Sequence, residues 1–524
     1  MSNTGTQKEN KAPKPSSKNL KELWKGLGQT IRRGVQWYNH RLKKVYSPGI
    51  AALTGMLLVL LMAVFTLFIP PLCGVADDGS LSEIMRGAGI GYRLSDLESP
   101  TGAYFVKLYL HSNAQPQGIS SHRAVIRTAM WLDTYFTHDN LFDIRFLALV
   151  YLLLYLPAVY LVLLGIALRV KVASEATFLV ILGALVLGDS AILSYFNSLY
   201  PEAMWQIFLI YCLGLCLAMQ REKAPWTQGG LMGLALCGSV LTLTESHCAV
   251  VGFMLTVFCV RQVMMENRTH QTTILAIVSA AVILTASVIS ATSGADRLTD
   301  ASKMHAMTNG VLLRAENPEE TLQDFGIDPR FETLADASAY ADYPYALPGN
   351  PEILRDFLDR YSLGPIILHY VRHPFAYIGM LELSFSSSFS PMRSYVGNFE
   401  ASSGREERTQ NAMFTYYSNF KSNSLPRTLG FLVVLGGVYW SLFRHRRGLQ
   451  HFVTRWTLRE RQIMLDTFLL LFAVAVAHLS AILCLSGTAE LERYKMICGV
   501  CVDGMVLLFI SEILHRLNIL SSEE

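Results

Sequence analysis

The chain has 524 residues, of which 51% are hydrophobic and only 16% charged. Soluble globular domains carry roughly 25% charged residues, so this balance, with a mean hydropathy of +0.32, excludes an ordinary soluble protein and points to one that crosses a bilayer several times. The formal net charge of +3 is no nucleic-acid footprint, because the basic residues gather at the N-terminus and in short loops.

Residues 1–46 form a polar, basic segment, and its first 19 residues, rich in Lys, Ser and Pro, are expected to be disordered. An apolar stretch over 50–69 follows, long enough for the about 20 residues that span a bilayer. It starts too late and runs too long for a cleavable signal peptide. Lys18, Lys21, Lys25, Arg32, Arg33, Arg41, Lys43 and Lys44 precede it, which places the N-terminus in the cytoplasm by the positive-inside rule. Hydropathy then predicts spans at about 146–168, 176–194 and 203–219. Two short spans share 228–261, divided at 245–247, and others cover about 272–292, 428–443, 463–485 and 496–514.

With these ten spans, the basic loops carrying Arg169 and Lys171, Arg221 and Lys223, Arg261, and Arg444, Arg446 and Arg447 all fall inside. Both long polar segments fall outside, and both termini are cytoplasmic. The expected fold is therefore an all-α polytopic membrane protein in four parts: the N-terminal segment 1–46, a core over 47–292 with its first outer loop at 72–145, a large outer segment 293–427, and C-terminal helices over 428–524. The nine cysteines lie in or beside apolar stretches without zinc or disulfide spacing, and read as small buried side chains.

The outer segments carry helical patterns. Ser80 and Glu83 have capping-box spacing, with Leu81, Ile84, Met85 and Ala88 following at helical intervals. Val125, Ala129, Leu132 and Phe136 make a second stripe, and Ile353, Phe357, Leu358 and Tyr361 a third. Pro365 and Pro374 fit first-turn positions of two further helices. These segments are read either as helices lying on the membrane surface or as a packed subdomain.

Three clusters at the outer ends of spans carry candidate chemistry. Asp77 and Asp78 follow the first span. Adjacent carboxylates do not ionise independently, so one is expected to hold its proton more tightly. Either can act as a general base, or the pair can bind a divalent cation; the alternative is an acidic turn closed by Gly79. Between spans three and four, Asp189 lies in or near the hydrocarbon boundary, where an ionisable group is costly and usually faces a cavity, and Asn197, Tyr200 and Glu202 form a donor–acceptor cluster suited to a sugar or a phosphate-bound cation. The competing reading has Pro201 and Glu202 simply starting the next helix. Glu490, Glu492, Arg493, Tyr494 and Lys495 precede the last span. Their cations run against orientation preference and suit a lipid phosphate, unless they only snorkel and pair locally. Glu245 and His247 either face the same cavity or mark a polar kink. No P-loop, nucleotide fingerprint, GxSxG elbow or HExxH motif is present.

In this order, the acid pair after the first span, the surface helices, the acidic outer turn and Glu492-Arg493-Tyr494 resemble the GT-C glycosyltransferases. The stretch Asp77-Asp78-Gly79-Ser80-Leu81-Ser82-Glu83-Ile84 is similar to the start of the first loop in the aminoarabinose and protein-mannosyl transferase branch. The resemblance implies a membrane enzyme, in a bacterial cytoplasmic membrane, that takes a sugar from a polyprenyl-phosphate-linked donor to an outer glycan, lipid or protein. It implies Asp77 or Asp78 as base, with Asp77 matching the first acid of the motif, and inversion at the anomeric carbon. Many members carry a Lys near the fifth or sixth span, where this chain has Glu245, Ser246 and His247. The phosphate contact then rests on Arg493 and Lys495. A lipid-linked oligosaccharide polymerase or a flippase is the alternative.

Overall fold

The computed structural model describes residues 17–42, 46–96, 100–113, 120–170, 172–220, 224–264, 269–295, 300–339, 350–444 and 458–517. Lys43, Lys44, Lys171, Arg221, Lys223, Arg446 and Arg447, part of the charge pattern used for orientation, lie outside these residues. Residues 17–19, expected to be disordered, open a helix over Ser17–Leu42. It docks where Tyr38 meets Thr177 and Asn39 accepts the Ser174 N–H.

Among the described residues, seven helices are long and apolar enough to cross a membrane, or eight if the bent pair Tyr416–Ser424 and Leu429–Phe443 makes one span. The ten spans expected from hydropathy are thus not all of one kind. Glu202–Ala218 and Ala224–Thr242 are helices, but the first has only 17 residues. The second begins with Trp226, Thr227, Gln228, Gly229 and Gly230, which dilute its apolar character. The chain breaks at Glu245, whose extended backbone precedes the turn Ser246–Cys248 and the helix Ala249–Val263.

Packing follows from helices that are apolar all round. In Pro48–Leu67, Ile50, Leu53, Leu57, Leu61 and Phe65 are exposed along one stripe, as lipid would require, while Ala52, Val59, Met62 and Ala63 are buried on the other. On the buried face Gly55 lets Leu163 and Val180 come so close that a Cβ would sit 2.6 Å from each. Small residues at such crossings are how membrane helices gain van der Waals contact. At the opposite end from the acid pair, Arg169 is buried against Glu512 at 2.5 Å, fastening the helix Ile144–Ala167 to the last one.

The loops at the other end depart from the all-helical expectation. The first loop contains a small antiparallel sheet: β1 (Ile90–Gly91), β2 (Leu108–His111) and β3 (Leu141–Asp143), in that order, with Ile90 opposite His111 and Leu108 opposite Asp143. The helix Ser121–Thr137 leads into β3. The expected capping box does not form. The helix Ser82–Ala88 is preceded by Leu81 with no side-chain cap, because Ser80 gives its hydroxyl to Asp78 at 2.6 Å. In the second large segment Met304, Phe331, Phe357, Leu358 and Tyr361 belong to a compact apolar cluster of their own. Pro365 and Pro374 stand in the first turns of Leu363–Arg372 and Pro374–Ser387.

The two long polar segments are sewn together by backbone hydrogen bonds. Gly74 N–H donates to the Asn398 carbonyl at 2.8 Å and Ala76 N–H to Gly397 at 3.0 Å. Gly102 N–H donates to the Asp77 carbonyl at 2.8 Å, and Gly397 N–H in turn to Gly102 at 2.8 Å. The segment 397–399 therefore runs between 73–77 and 102–105, with the Gly102–Asp77 bond closing the remaining side.

The helix Leu458–Ser486 stops at Gly487, whose φ of +58° is left-handed and whose missing Cβ would lie 2.6 Å from the Asn309 and Gly310 backbone. Gly487→Ala should destabilise the protein by well over about 1 kcal/mol. The detergent-solubilised variant is expected to melt lower and to accumulate less in membranes.

Candidate functional site

The exit from the first long helix is held by Asn197, whose amide donates to the carbonyls of Leu67 at 3.0 Å and Cys73 at 2.9 Å. From there the chain reaches the acid pair, and the two carboxylates turn to different partners. Asp77 Oδ1 accepts the N–H groups of Gly79 at 2.8 Å and Leu81 at 3.2 Å, and its Oδ2 accepts the Tyr92 hydroxyl at 2.5 Å. Asp78 Oδ1 accepts from Ser80 Oγ at 2.6 Å and from the Tyr200 hydroxyl at 2.7 Å. Asp78 Oδ2 takes Arg393 Nη1 at 2.6 Å.

Burial favours the protonated form of Asp78, but Arg393 and the hydrogen bonds from Ser80 and Tyr200 outweigh it. Its carboxyl therefore lies below the ordinary value. The two acids are separated, each with its own donors.

Arg393 is the centre of this half of the site. Its side chain is 0% exposed, and its guanidinium meets Asp78 with one arm and Glu202 with the other while lying 4.2 Å over the Tyr200 ring. Burial works against the charge, but Glu202, Tyr195, Tyr200 and Asp78 together hold it protonated. Nothing in the sequence reading marked Arg393. It is an isolated cation after Pro391 and Met392 in a polar loop, and only the fold places it opposite residues hundreds of positions away. Tyr92 was missed for the same reason.

A second half is built on Glu245. Its Oε2 lies 2.9 Å from His247 Nε2 and its Oε1 3.4 Å from Arg493 Nη2. Burial would raise its pKa, but Arg493 and His247 prevail and hold it at about 2, with 24% of the side chain still accessible. His247 Nδ1 continues 2.9 Å to His478 Nε2 on the helix Leu458–Ser486, a residue that the sequence reading did not single out. Arg493 sits over the Tyr494 ring at 5.2 Å, and its buried Nε has no protein partner. Glu202 joins the halves, since the charges of both Arg393 and Arg493 act on it.

The other sequence candidates are occupied by the protein itself. Asp189 caps the turn Ser190–Leu193 and accepts from Ser418 N–H at 2.8 Å and Oγ at 3.0 Å. Lys495, its pKa lowered by burial against the pull of Glu492, bonds Glu492 at 2.5 Å and the Met392 carbonyl at 3.2 Å. Tyr494 packs on His247 and Trp205 with ring centroids 4.3 Å and 5.9 Å away. Glu490 lies 3.9 Å from His305 Nδ1. Among the described residues, no group of three or more His, Cys, Asp and Glu side chains is arranged to hold a metal ion. All nine cysteines are free, eight of them buried and Cys484 partly so.

Together these elements define a polytopic α-helical membrane protein with a buried network of acids and guanidiniums at one end of its helices. The family described as "YfdI N-terminal transmembrane domain" matches residues 38–524, and the chain belongs to it; it is an integral membrane protein. No curated protein matches the chain. Among solved structures it is similar to the archaeal oligosaccharyltransferase AglB from Archaeoglobus fulgidus, determined with an inhibitory peptide and a dolichol-phosphate. The identity is 11% and the TM-score 0.37, over 89% of this chain and 51% of that one. The chain thus spans about half the length of that protein, and a likeness this distant says nothing of its activity.

Removing Arg393 strands two buried carboxylates, a change that typically costs about 3–5 kcal/mol. Arg393→Ala should therefore accumulate poorly and melt far lower, with Arg393→Lys only partly restored. Because the folded Asp78 carboxyl lies below its ordinary value of 3.8, its stabilisation is complete above that value and fades as pH falls through the folded one. The thermal deficit of Asp78→Asn at pH 7 should accordingly shrink below about pH 4.

Proposed function

We propose that the protein is a membrane glycosyltransferase that moves a sugar from a polyprenyl-phosphate-linked donor to an acceptor hydroxyl on the outer face of a bacterial cytoplasmic membrane. The observation that carries this reading is the division of labour in the network. One carboxylate, Asp78, is bound to a buried guanidinium, and a second, Asp77, is held beside it in a part-exposed turn by a tyrosine and two N–H groups. The sequence resemblance to GT-C enzymes agrees with it.

In this reading Asp77 is the base, oriented by Tyr92. The acceptor oxygen attacks the anomeric carbon, its proton passes to Asp77, and the bond from that carbon to the phosphate oxygen breaks. A single displacement of this kind inverts the anomeric centre. Arg493 takes the phosphate, because it alone of the two cations expected there keeps a buried N–H without a protein partner. Lys495 is already committed to Glu492 and the Met392 carbonyl. Asp78 and Glu202 position the base-bearing turn through Arg393.

The test is transfer from a radiolabelled polyprenyl-phosphate sugar by purified protein in proteoliposomes. Loss of a general base typically lowers rates by about 10²–10⁴, so Asp77→Asn should fall in that range with membrane abundance unchanged. Arg493→Ala should raise the donor KM by about 10-fold or more. Full transfer by Asp77→Asn would remove the proposed base.

A further inference from the structure

The same end of the molecule holds a cavity of about 220 Å³ that the proposed transfer does not use. Its wall runs over 390–392, 410–412, 415, 418, 419 and 422, with Ala191 closing one side. Every polar side chain in that wall is an uncharged amide or hydroxyl, Gln410, Asn411 and Asn419 among them, and Pro391, Met392 and Ala412 supply apolar surface. Neutral hydrogen-bonding groups beside apolar patches suit a pyranose, which presents hydroxyls around its rim and C–H groups on its faces. The volume lies below the roughly 300–1,000 Å³ of sites for drug-sized ligands, and so fits one ring and not a chain of them.

Asn411 gives the cavity a specific demand. Its Oδ1 accepts the Met413 N–H at 2.9 Å, which fixes the direction of the amide, and its own N–H donates to Asn398 Oδ1 at 3.1 Å. The residue is only 5% exposed, and its Nδ2 has no protein partner. Leaving a buried donor unmatched costs about 1–3 kcal/mol, a loss that a ligand oxygen would reverse. The cavity is also attached to the acid network. Met392 in its wall immediately precedes Arg393, and Gln410 Nε2 donates to the Arg393 carbonyl at 2.8 Å.

We infer that this cavity is a subsite for one uncharged pyranose ring, belonging to the acceptor or to the donor sugar. The inference rests on the transferase reading only for which substrate brings the ring. Saturation-transfer NMR on the full chain in detergent, with methyl pyranosides of mannose, glucose, galactose and N-acetylglucosamine as probes, tests it directly. At least one glycoside should receive saturation. The effect should weaken about 5-fold or more in Ala412→Leu, which fills the cavity, and in Asn411→Ala, with each variant shown to be folded by its thermal transition. Asn419→Leu gives the same reading should either variant fold poorly. No saturation of any probe, meaning a cavity that holds water only, or equal saturation in wild type and variants, overturns the subsite.

Transfer kinetics then separate the sources. The acceptor KM rises in these variants with the donor KM unchanged if the acceptor supplies the ring, and the reverse holds if the donor does. Asp77→Asn should leave glycoside binding intact. Glycoside binding by a wild-type protein that transfers nothing retains the subsite and refutes the transferase.

Discussion

A guanidinium excluded from water has to be surrounded by charge of the opposite sign, and Arg393 imposes that condition on everything around it. Its two arms join Asp78 from the first loop to Glu202 at the start of a short helix, and its face is covered by Tyr200. Buried pairs of this kind are poor sources of net stability, because desolvation cancels most of the attraction. Their effect is to make one geometry acceptable and its near neighbours costly. Three segments separated by more than a hundred residues along the chain are thereby held in register.

The same condition explains why two adjacent aspartates have unlike surroundings. Asp78 faces inward and is saturated by Arg393, Tyr200 and Ser80. Asp77, one residue earlier, cannot point the same way, and its carboxylate is met by Tyr92 and by the N–H groups of the following turn. A parallel arrangement surrounds Glu245, where Arg493 and His247 supply the opposing charge and His478 extends the chain of polar groups into a membrane helix. Glu202 connects the two, so a change in charge at either guanidinium is felt at the other.

Much of the helical frame was legible in the sequence, because long apolar runs and flanking basic residues report directly on burial in a bilayer. The polar break at Glu245 was legible for the same reason. Glu202–Ala218 and Ala224–Thr242 were read as spans of the same kind, yet one is short and the other diluted by polar residues and glycine. Within the site, residues beside a span stood out by position, whereas Arg393 and Tyr92 did not. Their importance lies in contacts made across the fold, and no local spacing encodes such a contact. Asp189 was read as a costly ionisable group near the membrane, and Asn197 as part of a donor–acceptor cluster. In the structure their hydrogen bonds go to protein partners, Asn197 to two carbonyls and Asp189 to Ser418 and Ala191.

The backbone ladder in which 397–399 lies between 73–77 and 102–105 constrains how these segments can change. Neither of the two long polar segments can be remodelled in isolation, since each supplies hydrogen-bond partners that the other requires. A chimera that exchanges one stretch without its counterpart is expected to inherit mismatched edges instead of a new preference.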